Sequence, residues 1–224
     1  KLRQETTFPY SETSKITISE GKGQFAMQVR YPGWVKPGQF SVKVNGQPVS
    51  IVTGPSSYVT IDRQWKKGDV VTIELPMEIT HSRWYDEAVA VERGPLLYAL
   101  KMEENWERKE MEPELHVRYG EYYYEVTSPT KWNWCLTRQT LKDAGNFTFE
   151  RKETDQTKYP WNLENNPLVI KVKAKELLNW EPARGSAGPI PFFTQQGKDV
   201  GEEAEIELIP YGCTTLRIAL FPVR

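Results

Sequence analysis

From Ile16 to Met77 apolar and polar positions alternate with a period of two, the spacing that sets one side of a strand on a core and the other in water. Ile16 and Ile18 alternate with Lys15, Thr17 and Ser19, and Phe25, Met27, Val29 and Tyr31 alternate with Ala26, Gln28 and Arg30. Phe40, Val42 and Val44 continue the pattern up to Asn45-Gly46, a dipeptide that tolerates positive φ and suits a tight hairpin, with Val49 and Ile51 in the returning strand. Tyr58 to Ile61 and the series Val71, Ile73, Leu75, Met77 add two strands, separated by the polar turn Trp65-Lys66-Lys67-Gly68-Asp69.

Between Ala88 and Leu100 two apolar segments are broken by Gly94-Pro95, where a bulge or a bend is expected because proline cannot donate to a ladder. The charged stretch Glu103 to Pro113 is expected to be a linker or one short helix. Beyond it, Tyr122 to Val126, Asn146 to Glu150, Leu168 to Ala174, Ala204 to Ile209 and Thr215 to Phe221 are the predicted strands, and Ala174 to Asn179 has a weak helical pattern. The Gly- and Pro-rich connection Glu181 to Gly201 exceeds ordinary loop lengths and is expected to pack over a sheet or carry function. Short strands punctuated by Gly and Pro predict an all-β chain of two antiparallel β-sandwich, jelly-roll-like domains. The predicted division is 1–102 and 103–224, with the last strand, 204–222, a candidate to pair back with the first domain.

A chain of 224 residues accommodates two such domains. With 29 basic and 30 acidic residues, it has no charge bias that would gather phosphate backbones or anionic lipids, so no nucleic-acid or membrane partner is expected. No stretch approaches the roughly 20 apolar residues needed to cross a bilayer, and Lys1 to Glu5 is not expected to belong to a leader peptide. The two cysteines, Cys135 and Cys213, are too few for a disulfide framework and lack paired zinc spacing, which leaves a single bridge between them open.

The chemistry-bearing residues are sparse. Glu203, Glu205 and Glu207 share one strand side, and beside Ile206 and Leu208 they are more simply its solvated face than a glycosidase carboxylate pair. His81, near Asp86 and Glu87, and His116 lack a ligand partner at metal spacing, so no metal, cofactor or catalytic residue is predicted. Asn146-Phe147-Thr148 fits a glycosylation sequon, a tripeptide that often arises by chance. The aromatic excess, with eight Trp and eleven Tyr, is the most suggestive feature. Tyr122-Tyr123-Tyr124 and Trp132-Asn133-Trp134 place rings two apart, so Tyr123, Trp132 and Trp134 are the candidate sugar-binding residues, with core packing as the competing reading.

Several phrases, in order, resemble the region after the barrel in glycoside hydrolase family 127, the β-L-arabinofuranosidase type long catalogued as a domain of unknown function. They are Val29-Arg30-Tyr31-Pro32-Gly33-Trp34, Val44-Asn45-Gly46, Ile61-Asp62-Arg63-Gln64-Trp65 with Gly68-Asp69, Leu75-Pro76-Met77, Val91 to Leu100, and Ile209-Pro210-Tyr211-Gly212-Cys213. The resemblance is dense from Thr6 to Leu100 and from Glu205 to Pro222, and poor between Glu103 and Asn166. It implies an (α/α) toroid that carries the catalytic glutamate and the zinc-associated cysteines, followed by β-sandwiches that pack on it. These residues contain none of the helix pairs of a toroid, so the expectation is a non-catalytic accessory region of a glycoside hydrolase, with the catalytic toroid domain of the same protein as its partner. The alternative is a carbohydrate-binding module with an oligosaccharide partner. A polysaccharide-degrading parent would suit a periplasmic or secreted location.

Overall fold

A computed structural model describes residues 1–155, 157–192 and 198–224. The chain is all-β, and the named sheets are antiparallel. It folds as two compact units, residues 1–79 with 93–96 and residues 80–92 with 97–224. These units do not coincide with a linear division at 102/103, because the strands Ala88–Arg93 and Leu96–Leu100 belong to a sheet built mainly from later residues.

In the first unit, Leu2–Thr6, Thr13–Ile18, Val70–Glu74, Ser41–Val44 and Gln47–Pro48 form one sheet in that order. Lys22–Tyr31 and Ser57–Lys66 form a second, long ribbon, registered from Lys22 opposite Lys66 to Tyr31 opposite Ser57. The alternating apolar residues of both sheets meet in one core that contains Val29, Tyr31, Val42, Ile61, Trp65 and Val71, the arrangement of a sandwich. Trp65 is fully buried, donates its indole N–H to Phe25 O at 2.9 Å, and stacks on Phe25 with centroids 5.6 Å apart.

The turns follow their predicted chemistry. Asn45 and Gly46 have φ of 51° and 79°, the two positive values a tight hairpin demands. The returning strand is shorter than expected, only Gln47–Pro48, although Val49 N still donates to Val42 O. Asp69, buried, accepts hydrogen bonds from Asn45 Nδ2 and Lys66 N, which hold its carboxyl below the ordinary aspartate value. Its side chain therefore joins two turns that lie far apart in sequence.

Gly94 marks the expected break, with φ of +58°, and a Cβ there would lie 2.6 Å from Met77 Sδ. Beside it Arg93 is buried and pairs with Glu12. Gly94→Ala combines left-handed backbone strain with this overlap and is expected to destabilise the unit by about 1–3 kcal/mol. Thermal unfolding checks this, with Gly38→Ala, whose φ is also positive but whose Cβ would meet nothing, isolating the steric part.

In the second unit an eight-stranded sheet runs in the order Trp134–Cys135, Leu168–Leu177, Val200–Pro210, Leu96–Leu100, Ala88–Arg93 and Phe221–Pro222, with Phe147–Arg151 and Ile79–Arg83 pairing alongside. The two ends of this order meet. Leu136 bridges Val223 in parallel, Leu136 N donates to Pro222 O and Arg224 N to Leu136 O, so the sheet curls and the two ends of this order are joined. Val89, Val91, Tyr98, Leu168, Ile170, Leu208 and Phe221 are buried in this unit.

Three expectations need correction. The helix at Ala174 to Asn179 is the end of the strand Leu168–Leu177; a register shift between Lys175 and Leu177 buries both Ala174 and Leu177, and that spacing of three imitates a helix. The charged stretch from Glu103 is neither linker nor helix, because Asn105–Glu110 pairs with Tyr122–Thr127 in a hairpin. Of Thr215 to Phe221 only Phe221 is strand, the first residue of Phe221–Pro222, which pairs with Val89 and Ala88; Val200–Pro210 pairs with Leu96–Leu100. In the connection Glu181 to Gly201, residues 193–197 lie outside the described residues.

Candidate functional site

The second unit has a groove of ≈ 1040 Å³ whose walls include Trp106, Trp134 and Trp161. Three separate elements supply these rings. Trp106 stands on the hairpin strand Asn105–Glu110, is 54% exposed, and donates its indole N–H to Glu104 Oε2 at 3.1 Å. Trp134 opens the short strand Trp134–Cys135 and donates its indole N–H to Lys131 O at 2.9 Å, with the Lys131 ammonium 5.9 Å from its ring centre. Trp161 packs with Leu163 on the buried Val169, Ile209 and Cys213. Each ring is therefore held before any ligand arrives.

Glu104 fixes one wall. Burial by itself would raise its carboxyl, but hydrogen bonds from Thr214 Oγ1, Thr215 N, Leu216 N and Trp106 Nε1 outweigh that and lower it below the ordinary value of 4.5. A lowered folded value stabilises the hairpin base fully above pH 4.5, and this contribution fades as pH falls through the lowered value. Amide protection factors in Asn105–Glu110 and Tyr122–Thr127, corrected for the intrinsic pH dependence of exchange, are expected to fall on acidification below that point in the native chain, and Glu104→Gln to lose the pH-dependent step.

Glu207 is likewise lowered, first by the hydrogen bond from Lys101 Nζ at 2.6 Å. Glu203, Glu205 and Glu207 lie opposite Lys175, Lys173 and Lys171 across the sheet, the cross-strand charge pairing of a solvated face. A general acid requires a carboxyl raised toward neutrality, and the shifts of these two groove carboxylates run the other way.

The three sugar-binding candidates go to three places. Trp134 lines the groove. Trp132, half-buried, meets Trp180 edge-on at 5.0 Å and packs on a core of Cys135, Leu177 and Trp180. Tyr123 stands exposed on the hairpin opposite Lys109, while Tyr122 and Tyr124, two apart, contact each other at 5.8 Å, and Arg108 lies 4.1 Å over the Tyr122 ring. Trp134 N donates to Trp132 O, so the chain turns between the two tryptophans and strand alternation does not relate them. Trp106 and Trp161, which complete the groove with Trp134, are scattered in sequence and carry no local signal.

Both cysteines are free and buried, and burial pushes Cys135 up to about 11 and Cys213 up to about 12, so both thiols are neutral at physiological pH. His116 Nε2 lies 2.8 Å from Met111 O, and His81 is exposed on Ile79–Arg83. Among the described residues no group of three or more His, Cys, Asp or Glu could hold a metal ion. The sequon asparagine, Asn146, turns its amide toward Gln139 O and Thr140 O. No helix among the described residues is long and apolar enough to cross a membrane.

The family model for the middle domain of GH127 β-L-arabinofuranosidases matches residues 1–77. None of the curated proteins matches the chain. Among solved structures, a GH127 β-L-arabinofuranosidase from Geobacillus stearothermophilus T6 superposes with a TM-score of 0.60 at 24% identity, over 100% of this chain and 30% of that one. A GH127 β-arabinofuranosidase gives 0.61 at 24% identity, over 100% of this chain and 31% of that one. A further glycoside hydrolase gives 0.61 at 21% identity, over 99% and 32%. These are likenesses of fold, and the chain spans less than a third of the length of each structure.

Proposed function

We propose that this chain is a non-catalytic accessory region of a GH127-type glycoside hydrolase, made of two β domains that support a catalytic domain of the same protein. The observation that carries this reading is the match of residues 1–77 to the family's middle domain, joined to a fold likeness that extends over the whole chain. The Leu75 to Leu100 phrases support it too, because their residues have structural duties: Met77 and Gly94 fit against each other, and Arg93 is neutralised by Glu12. The groove carboxylates that shift are held ionised, which suits binding or support better than proton donation.

On this reading the parent enzyme cleaves an arabinofuranoside, and the reacting groups lie in the partner domain. The test is association of this chain with the separately produced catalytic domain of its parent, followed by sedimentation. A one-to-one complex that raises the melting temperature of the catalytic domain is the expected result. Two species that sediment independently at tens of micromolar, with no change in melting, would count against the supporting role.

A further inference from the structure

The groove of the second unit has the build of a ligand site rather than of a gap between elements, and we propose that it binds a neutral oligosaccharide. The inference goes beyond the supporting role, and neither depends on the other.

Three observations carry it. First, sugars present flat C–H faces that stack on aromatic rings, and the groove offers three indoles, from hairpin, sheet and loop. Because Trp106 and Trp134 have their N–H groups bonded to Glu104 and to Lys131 O, their ring positions are fixed and little side-chain freedom remains to be lost on binding. Second, the rim carries two exposed carboxylates able to accept from hydroxyls, Glu164 and Glu205, the latter opposite Lys173 across the sheet. A carboxylate accepts from two adjacent hydroxyls at once, which is the pattern a saccharide ring displays.

Third, charge selects among saccharides. Among the residues that line the groove, five carboxylates, Glu103, Glu104, Glu164, Glu205 and Glu207, meet three bases, Lys101, Lys131 and Arg217, while Lys173 and Lys171 lie across the sheet from Glu205 and Glu207. Two of those three bases are already committed, Lys101 to Glu207 at 2.6 Å and Lys131 to Glu176 at 2.8 Å. Arg217 donates through Nε to Thr214 O and lies 4.5 Å from the Tyr211 ring centre. A surplus of carboxylates with committed cations repels uronate chains and leaves uncharged pentose or hexose oligomers as the matching class.

The experiment is calorimetric titration of the chain with arabinohexaose, xylohexaose, cellohexaose and hexagalacturonate, paralleled by tryptophan fluorescence. Saturable binding of at least one neutral hexamer, weaker or absent binding of hexagalacturonate, and about tenfold loss in Trp134→Ala are expected. Glu205→Gln, an exposed and isosteric change that leaves folding intact, is expected to weaken the same ligand, whereas Tyr123→Ala, outside the groove, leaves it unchanged. No saturable response to any neutral hexamer at millimolar concentration would overturn the proposal. So would preference for hexagalacturonate, or binding that persists undiminished in both Trp134→Ala and Glu205→Gln.

Discussion

Trp65→Ala is expected to cost the first unit about 3–5 kcal/mol, enough to unfold a domain of ordinary stability. The ring is fully buried, stacks on Phe25, takes Arg63 against it at 5.2 Å, and ties its N–H to the Phe25 carbonyl. Truncation removes the transfer energy of an indole and leaves a cavity between two sheets that hydrogen bonds hold in place, so collapse recovers little. Trp65→Phe keeps much of the volume and loses the hydrogen bond, and should fall well short of that cost. Urea unfolding of the three proteins, read by circular dichroism, ranks them; equal stability of Trp65→Ala and the native chain would mean that this core is not as described.

The second large effect lies at the seam where the eight-stranded sheet closes. Arg224 and Asp199 pair at 3.0 Å with side chains only 5% and 4% exposed, and Arg224 also donates to Pro191 O and Val223 O. Breaking such a pair leaves one charge buried without its counter-ion, so Asp199→Ala is expected to cost about 3–5 kcal/mol. Replacing both by leucine removes both desolvation penalties and should recover a large part of the loss, although the Pro191 carbonyl then lacks its donor. Denaturant midpoints of the single and double variants decide this. A double variant less stable than Asp199→Ala would place the value of the pair in its hydrogen bonds rather than in charge neutrality.

The first unit was legible because its strands have one wet and one dry side, and period-two alternation is the direct imprint of that condition. Asn45-Gly46, Gly68-Asp69 and Gly94-Pro95 were legible as turn chemistry; the neighbour that makes Gly94 necessary, Met77, was not, since it lies 17 positions away. The second unit blurred because Ala88 to Val91 and Leu168 to Ile170 are buried throughout and show no alternation, and because a bulge at Lys175 produced a false helical spacing. Of the groove, the carboxylates Glu205 and Glu207 were legible only as the wet side of a strand, and of its three indoles Trp134 alone was singled out. Its companions converge through sheet closure and the hairpin fold, and long-range pairing of that kind leaves no mark in local sequence.

The most direct measurement is hydrolysis of an aryl β-L-arabinofuranoside by this chain alone at high protein concentration. On the proposed accessory role, the chain alone releases no phenol above the buffer rate. Saturable turnover that survives purification and disappears in a groove carboxylate variant such as Glu164→Gln would contradict the account and make the second unit an active site.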